Sequence, residues 1–208
     1  MRVILASQSP RRQFILKEMG VEFTAIPSQF KEYFDEKRSV VDVVEELGLG
    51  KAMDVAKDNP DAIVIGSDTI IVLDKKQLGK QENADVAKAM LRSHRNRAHQ
   101  VITSVAVVCL DKGYKKVSTD VSNVYMDDLD EEFIEEYVAT GSMYDKGGAY
   151  ALQHPLVRPH VRRIEGRADT IIGLPTNLAA EYLNDFGIDA KPLDLTNSDL
   201  LKQEGFFN

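Results

Sequence analysis

The sequence predicts a mixed α/β fold, and three observations predict it. Short apolar runs of strand character alternate with segments whose apolar residues recur at helical spacing. The most apolar stretch, Ala62 to Leu73, and two long strand-like runs around Asp111-Lys-Gly113 supply extended β structure. No internal repeat, low-complexity tract or linker interrupts the pattern, so the 208 residues fit one substantial domain or two intimately packed lobes.

In chain order, Arg2 to Ala6 reads as a short buried strand. Pro10 to Met19 reads as a helix, with Phe14, Ile15 and Leu16 on its apolar face and Gly20 ending it. Val21 to Ile26 alternates like a strand, and the polar stretch Gln29 to Arg38 reads as loop. Ser39 to Lys57 is a second helix striped by Val40, Val43, Val44 and Leu47. Gly48 and Gly50 are expected to weaken its middle, by up to ~1 kcal/mol each relative to Ala. Ala62 to Leu73 carries Gly66-Ser-Asp-Thr69 in its centre, and Asn83 to Leu91 is helical. Gln100 to Leu110 and Lys115 to Tyr125 are the two long strands. Leu129 to Ala139 is a helix, and Gly141 to Gly148 is a glycine-rich connection. Val157 to Ile164 and Thr170 to Ile172 are strand candidates, and Leu178 to Phe186 is the last long helix. Asp189 to Asn208 is a polar tail able to pack back as a short helix.

Composition narrows the function classes. A net charge of −7 argues against broad coating of nucleic acid. The basic stretches Arg92 to His99 and Arg158 to Arg163 read as solvated surface. Cys109 is the single cysteine and stands in an apolar run, so it reads as a small core residue and fits a reducing compartment. Val3 to Ala6 is too short for a signal peptide, and no run approaches the roughly 20 apolar residues of a membrane span. The expected location is the cytoplasm, with neither membrane nor nucleic acid as partner.

Two places carry chemistry. Ser9 suits an N-cap and Pro10 the first helical position, so a helix start is predicted there. The helix dipole puts partial positive charge at that end, yet its first turn holds Arg11 and Arg12. Each costs up to ~1 kcal/mol against the dipole. An anion bound there offsets that cost, because backbone N–H groups, Ser hydroxyls and guanidinium forks converge on it. The bland alternative is that both arginines bend into solvent.

Asp68 interrupts Ile63-Val-Ile65 and Ile70-Ile-Val-Leu73. Burying an unpaired carboxylate costs several kcal/mol. Either the chain turns into solvent at Gly66-Ser-Asp68, or Asp68 has a partner such as a metal or a cationic side chain. A kinked buried strand aiming Asp68 into a cleft explains the flanking apolar runs better. Gly79-Lys80 and Gly48-Leu-Gly-Lys51 both fail the phosphate-loop pattern, and no dinucleotide-binding glycine pattern occurs. The four histidines, at 94, 99, 154 and 160, lack zinc-site spacing; His99 is expected to hydrogen-bond at a strand start and Tyr150 to pack. Glu165 and Asp169 flank an expected turn and read as solvated, with a site near the cleft mouth as the alternative.

Taken together, the motifs resemble the Maf family of nucleotide pyrophosphatases. Leu5-Ala-Ser-Gln-Ser-Pro-Arg-Arg12 is similar to its N-terminal signature, Lys51-Ala52 to its helix lysine, and Gly66-Ser-Asp-Thr-Ile70 with Leu78-Gly-Lys80 to its central motifs. His99-Gln-Val-Ile-Thr103, Asp145-Lys-Gly-Gly-Ala-Tyr-Ala-Leu-Gln153, Ile164-Glu-Gly166 and Ile172-Gly-Leu-Pro175 follow in the family's order. The resemblance covers about residues 3 to 187. Gln81, where the family usually has Pro, and Gly147 and Ala151 depart from it without removing a charge.

The resemblance implies an elongated mixed sheet with flanking helices and a deep cleft between two lobes, related to the inosine triphosphate pyrophosphatases. It implies one Maf-like domain over residues 1–208, with a short C-terminal tail from about 188. It also implies hydrolysis of a nucleoside triphosphate to the monophosphate and pyrophosphate with a divalent metal such as Mg²⁺ or Mn²⁺. Ser7, Arg11, Arg12, Lys51 and Lys80 would then hold phosphates. Asp68 would be the essential carboxylate, holding metal or orienting water. Gln153 would lie near base or sugar. A second acid, also a metal candidate, falls on Glu32 by gapless counting, with Asp35-Glu36 as the alternative.

Asp145-Lys146 with Gln153 resembles the branch acting on dTTP, UTP and modified uridine triphosphates. A 7-methyl-GTP-type pyrophosphatase and a nucleotide-binding regulator of cell division without turnover stay open as alternatives. A DNA-binding regulator is disfavoured by the acidic balance. Homodimer formation is left open.

Overall fold

The computed structural model describes residues 1–33, 35, 37–144 and 146–195. Its centre is one mixed sheet of seven strands: β1 (Val3–Leu5), β2 (Thr24–Ala25), β3 (Ile63–Leu73), β4 (Lys76–Leu78), β5 (Ala98–Cys109), β6 (Tyr114–Met126) and β7 (Val161–Glu165). The strand order is β2-β1-β3-β5-β6-β7, with β4 paired to β3 on the side that β1 also uses. The pairings of β1 with β2 and β3 are parallel, and the other pairings are antiparallel. This bears out the mixed α/β reading.

Among the described residues six α-helices flank the sheet: α1 (Pro10–Glu18), α2 (Val40–Ala56), α3 (Ala84–His94), α4 (Glu131–Ala139), α5 (Ala168–Ile172) and α6 (Thr176–Asn184). They divide unequally. Alternate residues of a strand face opposite sides, so β3 serves two cores. Val64, Ile70 and Val72 pack with α2 residues, including Val43, Val44, Leu47, Ala52 and Val55. Ile65 and Ile71 join a larger core built from α1, α3, α4, α5 and α6. No described helix is long and apolar enough to cross a membrane.

Several expectations change. Thr170 to Ile172 is not a strand; it is the end of α5. Val157 to Ile164 is strand only from Val161, after a 3₁₀ turn over Arg158–His160. β-branched residues suit either state in so short a run, and here tertiary packing decides. Pro10 does open α1, but Ser9 makes no side-chain cap; its N–H instead donates to Ser7 Oγ at 3.1 Å. Asp169 is not solvated but 1% exposed. The tail expected from Asp189 lies outside the described residues beyond 195, and Gly187 to Leu195 carries no helix.

The glycines of α2 are not weak points. A Cβ on Gly66 of β3 would stand 2.2 Å from the Gly48 carbonyl oxygen and 2.7 Å from the Ala52 nitrogen. A Cβ on Gly48 would stand 2.3 Å from Ser104 Oγ. The two glycines let α2 lie directly on β3, a proximity that any side chain would block. The propensity cost at Gly48 is offset by that contact.

Candidate active site

β3 is longer than its neighbours on one side. β1 pairs with Ile63 to Ile65 and β4 with Ile71 to Leu73, so the edge between Gly66 and Ile70 is left bare. On the other side, β5 pairs Val64 to Val72 without a register shift. Asp68 therefore sits in an unbroken strand, not in a turn, and no kink is needed to aim it. It stands in a window in the sheet, with Asp68 facing the α2 side and Thr69 the other.

A cleft of about 1040 Å³ opens at this window. Ser7, Arg11, Arg12, Glu32, Lys51, Asp68, Lys80 and Gln153 all line it, so the structure brings together the whole set picked out in the sequence. Glu36 and Asp145 lie outside the described residues.

Lys51 reaches the window because Gly48, one turn earlier on α2, touches β3. Its ammonium donates to Asp68 Oδ1 and, at 2.7 Å, to Glu32 Oε1. Lys80 donates to Glu32 Oε2 at 3.0 Å. Lys51 and Asp68 are each about nine-tenths buried at the side chain. Burial by itself would raise the Glu32 carboxyl, but the hydrogen bonds and charges of Lys51 and Lys80 overcome it and hold it down to about 2. The result is a chain of alternating charge along one wall of the cleft.

Arg12 is held differently. Its Nε donates to the Gly173 carbonyl at 2.7 Å, one terminal nitrogen to Thr69 Oγ1 at 3.3 Å and the other to Ser7 Oγ at 3.5 Å. All three acceptors are neutral, and no carboxylate of the described residues lies within ion-pair distance of Arg12. Burial lowers its pKa, against the more distant charges of Asp68 and Glu32. A guanidinium stays charged under such pressure. The cleft thus holds a half-buried cation positioned by neutral groups.

The opposite wall, Lys146 to Gln153, rests on neutral polar side chains. His94 Nε2 bonds the Gly148 carbonyl at 3.0 Å, which makes it the protonated nitrogen, and His99 Nε2 bonds the Tyr150 hydroxyl at 2.7 Å. Burial pushes His94 down to about 4 and His99 to about 2, so both rings are neutral near pH 7. The expectation of a hydrogen-bonding His99 holds, while His94 is buried rather than part of a solvated basic stretch. Arg92 and Arg95 of that stretch pair with Glu131, and Arg97 with Asp74. Gln81, the departure from the family's usual Pro, donates to the Lys146 carbonyl at 2.8 Å and ties this wall to the chain after β4.

Sequence reasoning missed Thr69, Ser67 and Gly173. Thr69 lines the cleft and is bonded by Arg12 and, at 3.0 Å, by Thr103. Its motif was visible, but its partner lies 57 residues away. Gly173 acts through its carbonyl, which side-chain chemistry cannot flag.

A model of the family described as Maf-like protein matches residues 2–186. The chain belongs to the Maf-like protein family. Curated relatives of this Maf-like protein match along almost their whole lengths. A dTTP/UTP pyrophosphatase of Dictyoglomus thermophilum is 42% identical over 186 residues, covering 89% of this chain and 96% of the relative. One of Desulforamulus reducens is 39% identical, covering 90% and 97%. One of Shouchella clausii is 40% identical, covering 89% and 95%. Among solved structures, a nucleoside-triphosphatase / dITP/XTP pyrophosphatase from Mycobacterium abscessus aligns with a TM-score of 0.37 at 13% identity, covering 61% of this chain and 74% of that one. That likeness is too distant to support an argument.

Proposed function

We propose that this Maf-like protein hydrolyses nucleoside triphosphates to the monophosphate and pyrophosphate, with dTTP, UTP or a modified pyrimidine triphosphate as substrate. The observation that carries this is Arg12, a half-buried guanidinium whose hydrogen-bond acceptors among the described residues are all neutral, facing a cleft that also holds Arg11, Lys51 and Lys80. A polyanion is the ligand that such a charge distribution favours. The names of the relatives support the reaction and the pyrimidine preference.

In this reading, Ser7, Arg11 and Arg12 hold the phosphates at the start of α1, and Lys51 and Lys80 meet them from the opposite side. Neutralisation by these groups lets water approach the α-phosphorus. Asp68 takes a proton from that water as its oxygen bonds to phosphorus. The bond from the α-phosphorus to the bridging oxygen breaks, and pyrophosphate leaves with charge balanced by the arginines and lysines. Gln153, 4% exposed and lining the cleft, would read base or sugar.

The acidic pair fits a divalent metal. Glu32 Oε1 and Asp68 Oδ1 converge on a single cation, the Lys51 ammonium, and oxygen donors of this kind suit Mg²⁺ or Mn²⁺. No group of three or more metal-ligating side chains occurs among the described residues, so phosphate oxygens and water would complete the shell. Bound there with the triphosphate, the metal would supply charge stabilisation at the phosphates. Lys51 would release Asp68 and turn to the phosphates.

A triphosphate panel with separate detection of pyrophosphate and orthophosphate, run with Mg²⁺ and Mn²⁺, tests the proposal. Pyrophosphate from dTTP or UTP is the expected result. Orthophosphate as the product removes the reaction assignment, fastest cleavage of 7-methyl-GTP removes the substrate assignment, and binding without turnover favours a regulator.

A further inference from the structure

The strongest feature outside the cleft is the cluster around Asp169. Its carboxylate accepts from Arg167 Nε at 3.0 Å, Arg167 NH2 at 2.9 Å, Thr170 N at 3.1 Å, Thr176 N at 2.8 Å and Thr176 Oγ1 at 2.5 Å. The carbonyl of the same residue accepts from Gly173 N at 2.9 Å and Leu174 N at 3.0 Å. One residue thus closes both ends of the turn between α5 and α6. Its main chain holds Gly173 and Leu174 at the entry, and its side chain holds Thr176 at the exit.

That turn reaches the cleft through Gly173. Gly173, at φ +119, presents its carbonyl to Arg12 Nε at 2.7 Å and to Ser67 Oγ at 2.9 Å. A Cβ there would stand 3.4 Å from Arg12 Nε and 3.3 Å from Thr69 Oγ1, so the turn packs directly on the guanidinium. Behind Asp169, Arg167 NH2 also donates to the Leu193 carbonyl at 2.6 Å, and Leu193 N donates to Thr176 Oγ1 at 2.9 Å. The segment after α6 is thereby strapped to the same cluster, with Leu195 buried.

We propose that Asp169 is a positioning residue for the phosphate site: it sets the turn whose Gly173 carbonyl orients Arg12, and Arg167 with Leu193 braces it from behind. Asp169 does not line the cleft; its effect passes through the Gly173 carbonyl that Arg12 and Ser67 share. The inference rests on the phosphate reading of Arg12 given above.

A double-mutant cycle tests it, with inorganic tripolyphosphate as the probe in metal-free buffer and Kd read by calorimetry. Asp169→Asn is expected to weaken binding roughly tenfold in the Arg12 background and less than about twofold in the Arg12→Lys background. Thermal midpoints establish that each variant is folded at the assay temperature. Equal losses in both backgrounds overturn the proposal, because a general loss of structure does not depend on what stands at residue 12. If Asp169→Asn fails to fold, Thr176→Val removes one donor, and its smaller loss must vanish in the Arg12→Lys background in the same way. Absence of binding by the wild-type chain overturns the phosphate reading and this proposal together. Wild-type binding with an additive cycle overturns this proposal only.

Discussion

Asp68 and Asp169 are both buried aspartates paired with a cation, and they differ in what surrounds the pair. Asp169 is saturated: a bidentate arginine, two backbone N–H groups and a hydroxyl all donate to it. Among the described residues Asp68 receives only the Lys51 ammonium, and its side chain opens on the cleft. A saturated carboxylate has no lone pair left for chemistry and serves structure. One that keeps open valence beside a cleft can take a proton or a metal. The two partners differ to match. Arg167 is a rigid fork suited to permanent pairing, whereas Lys51 is a flexible point charge able to change partners.

The comparison can be broken most decisively at Asp68. Asp68→Asn is expected to lower kcat by about 10²–10⁴-fold while triphosphate binding survives. Steady-state pyrophosphate release set beside direct nucleotide binding measures the split, and an active variant would remove Asp68 from the chemistry. At Asp169 the large effect should be on stability instead. Asp169→Ala removes the acceptor that Arg167, Thr170 and Thr176 share and is expected to cost about 3–5 kcal/mol in urea unfolding. Asp68→Asn should cost distinctly less, since Lys51 keeps Glu32. Equal costs at the two sites would erase the distinction.

A third change probes the scaffold that brings Lys51 to Asp68. Gly66→Ala drives a methyl into the α2 backbone and is expected to destabilise by about 1–3 kcal/mol. It should also reduce activity beyond what that stability loss explains, because α2 must move away from β3. Retained activity at full stability would show that the contact is not needed. The smallest effect concerns pH. Glu32 is depressed in the folded chain, so its contribution is fully present above its unfolded pKa and is lost as pH falls toward about 2. The stability difference between wild type and Glu32→Gln should be constant above about pH 5 and shrink below it. A difference that grows with acid would contradict the ion chain.

Much of the fold was legible because it rests on local patterns. The apolar period of α2, the turn at Asp111-Lys-Gly113 and Pro10 at the head of α1 needed no tertiary information. The short run at Thr170 was misread for the opposite reason: three residues give no period, and packing chose a helix. In the site, charges were legible and carbonyls were not. Asp68 stood out because a carboxylate in an apolar run demands an explanation, and Arg11 and Arg12 because they oppose a helix dipole. Gln81 read as a minor departure, yet it tethers the Lys146 wall.

By itself, then, the sequence determined the mixed α/β class through composition and period, and Arg11, Arg12 and Asp68 as chemically unusual; the family and the remaining ionisable residues of the cleft came from ordered motifs that resemble that family. Only the tertiary structure decided which charge meets which. Lys51 reaches Asp68 because two glycines let α2 touch β3, and Asp68 meets the cleft because β1 stops before β4 begins. Arg12 is held by the Gly173 carbonyl, 161 residues away. Contacts at such separation depend on strand register and helix packing, which no local pattern of side chains encodes.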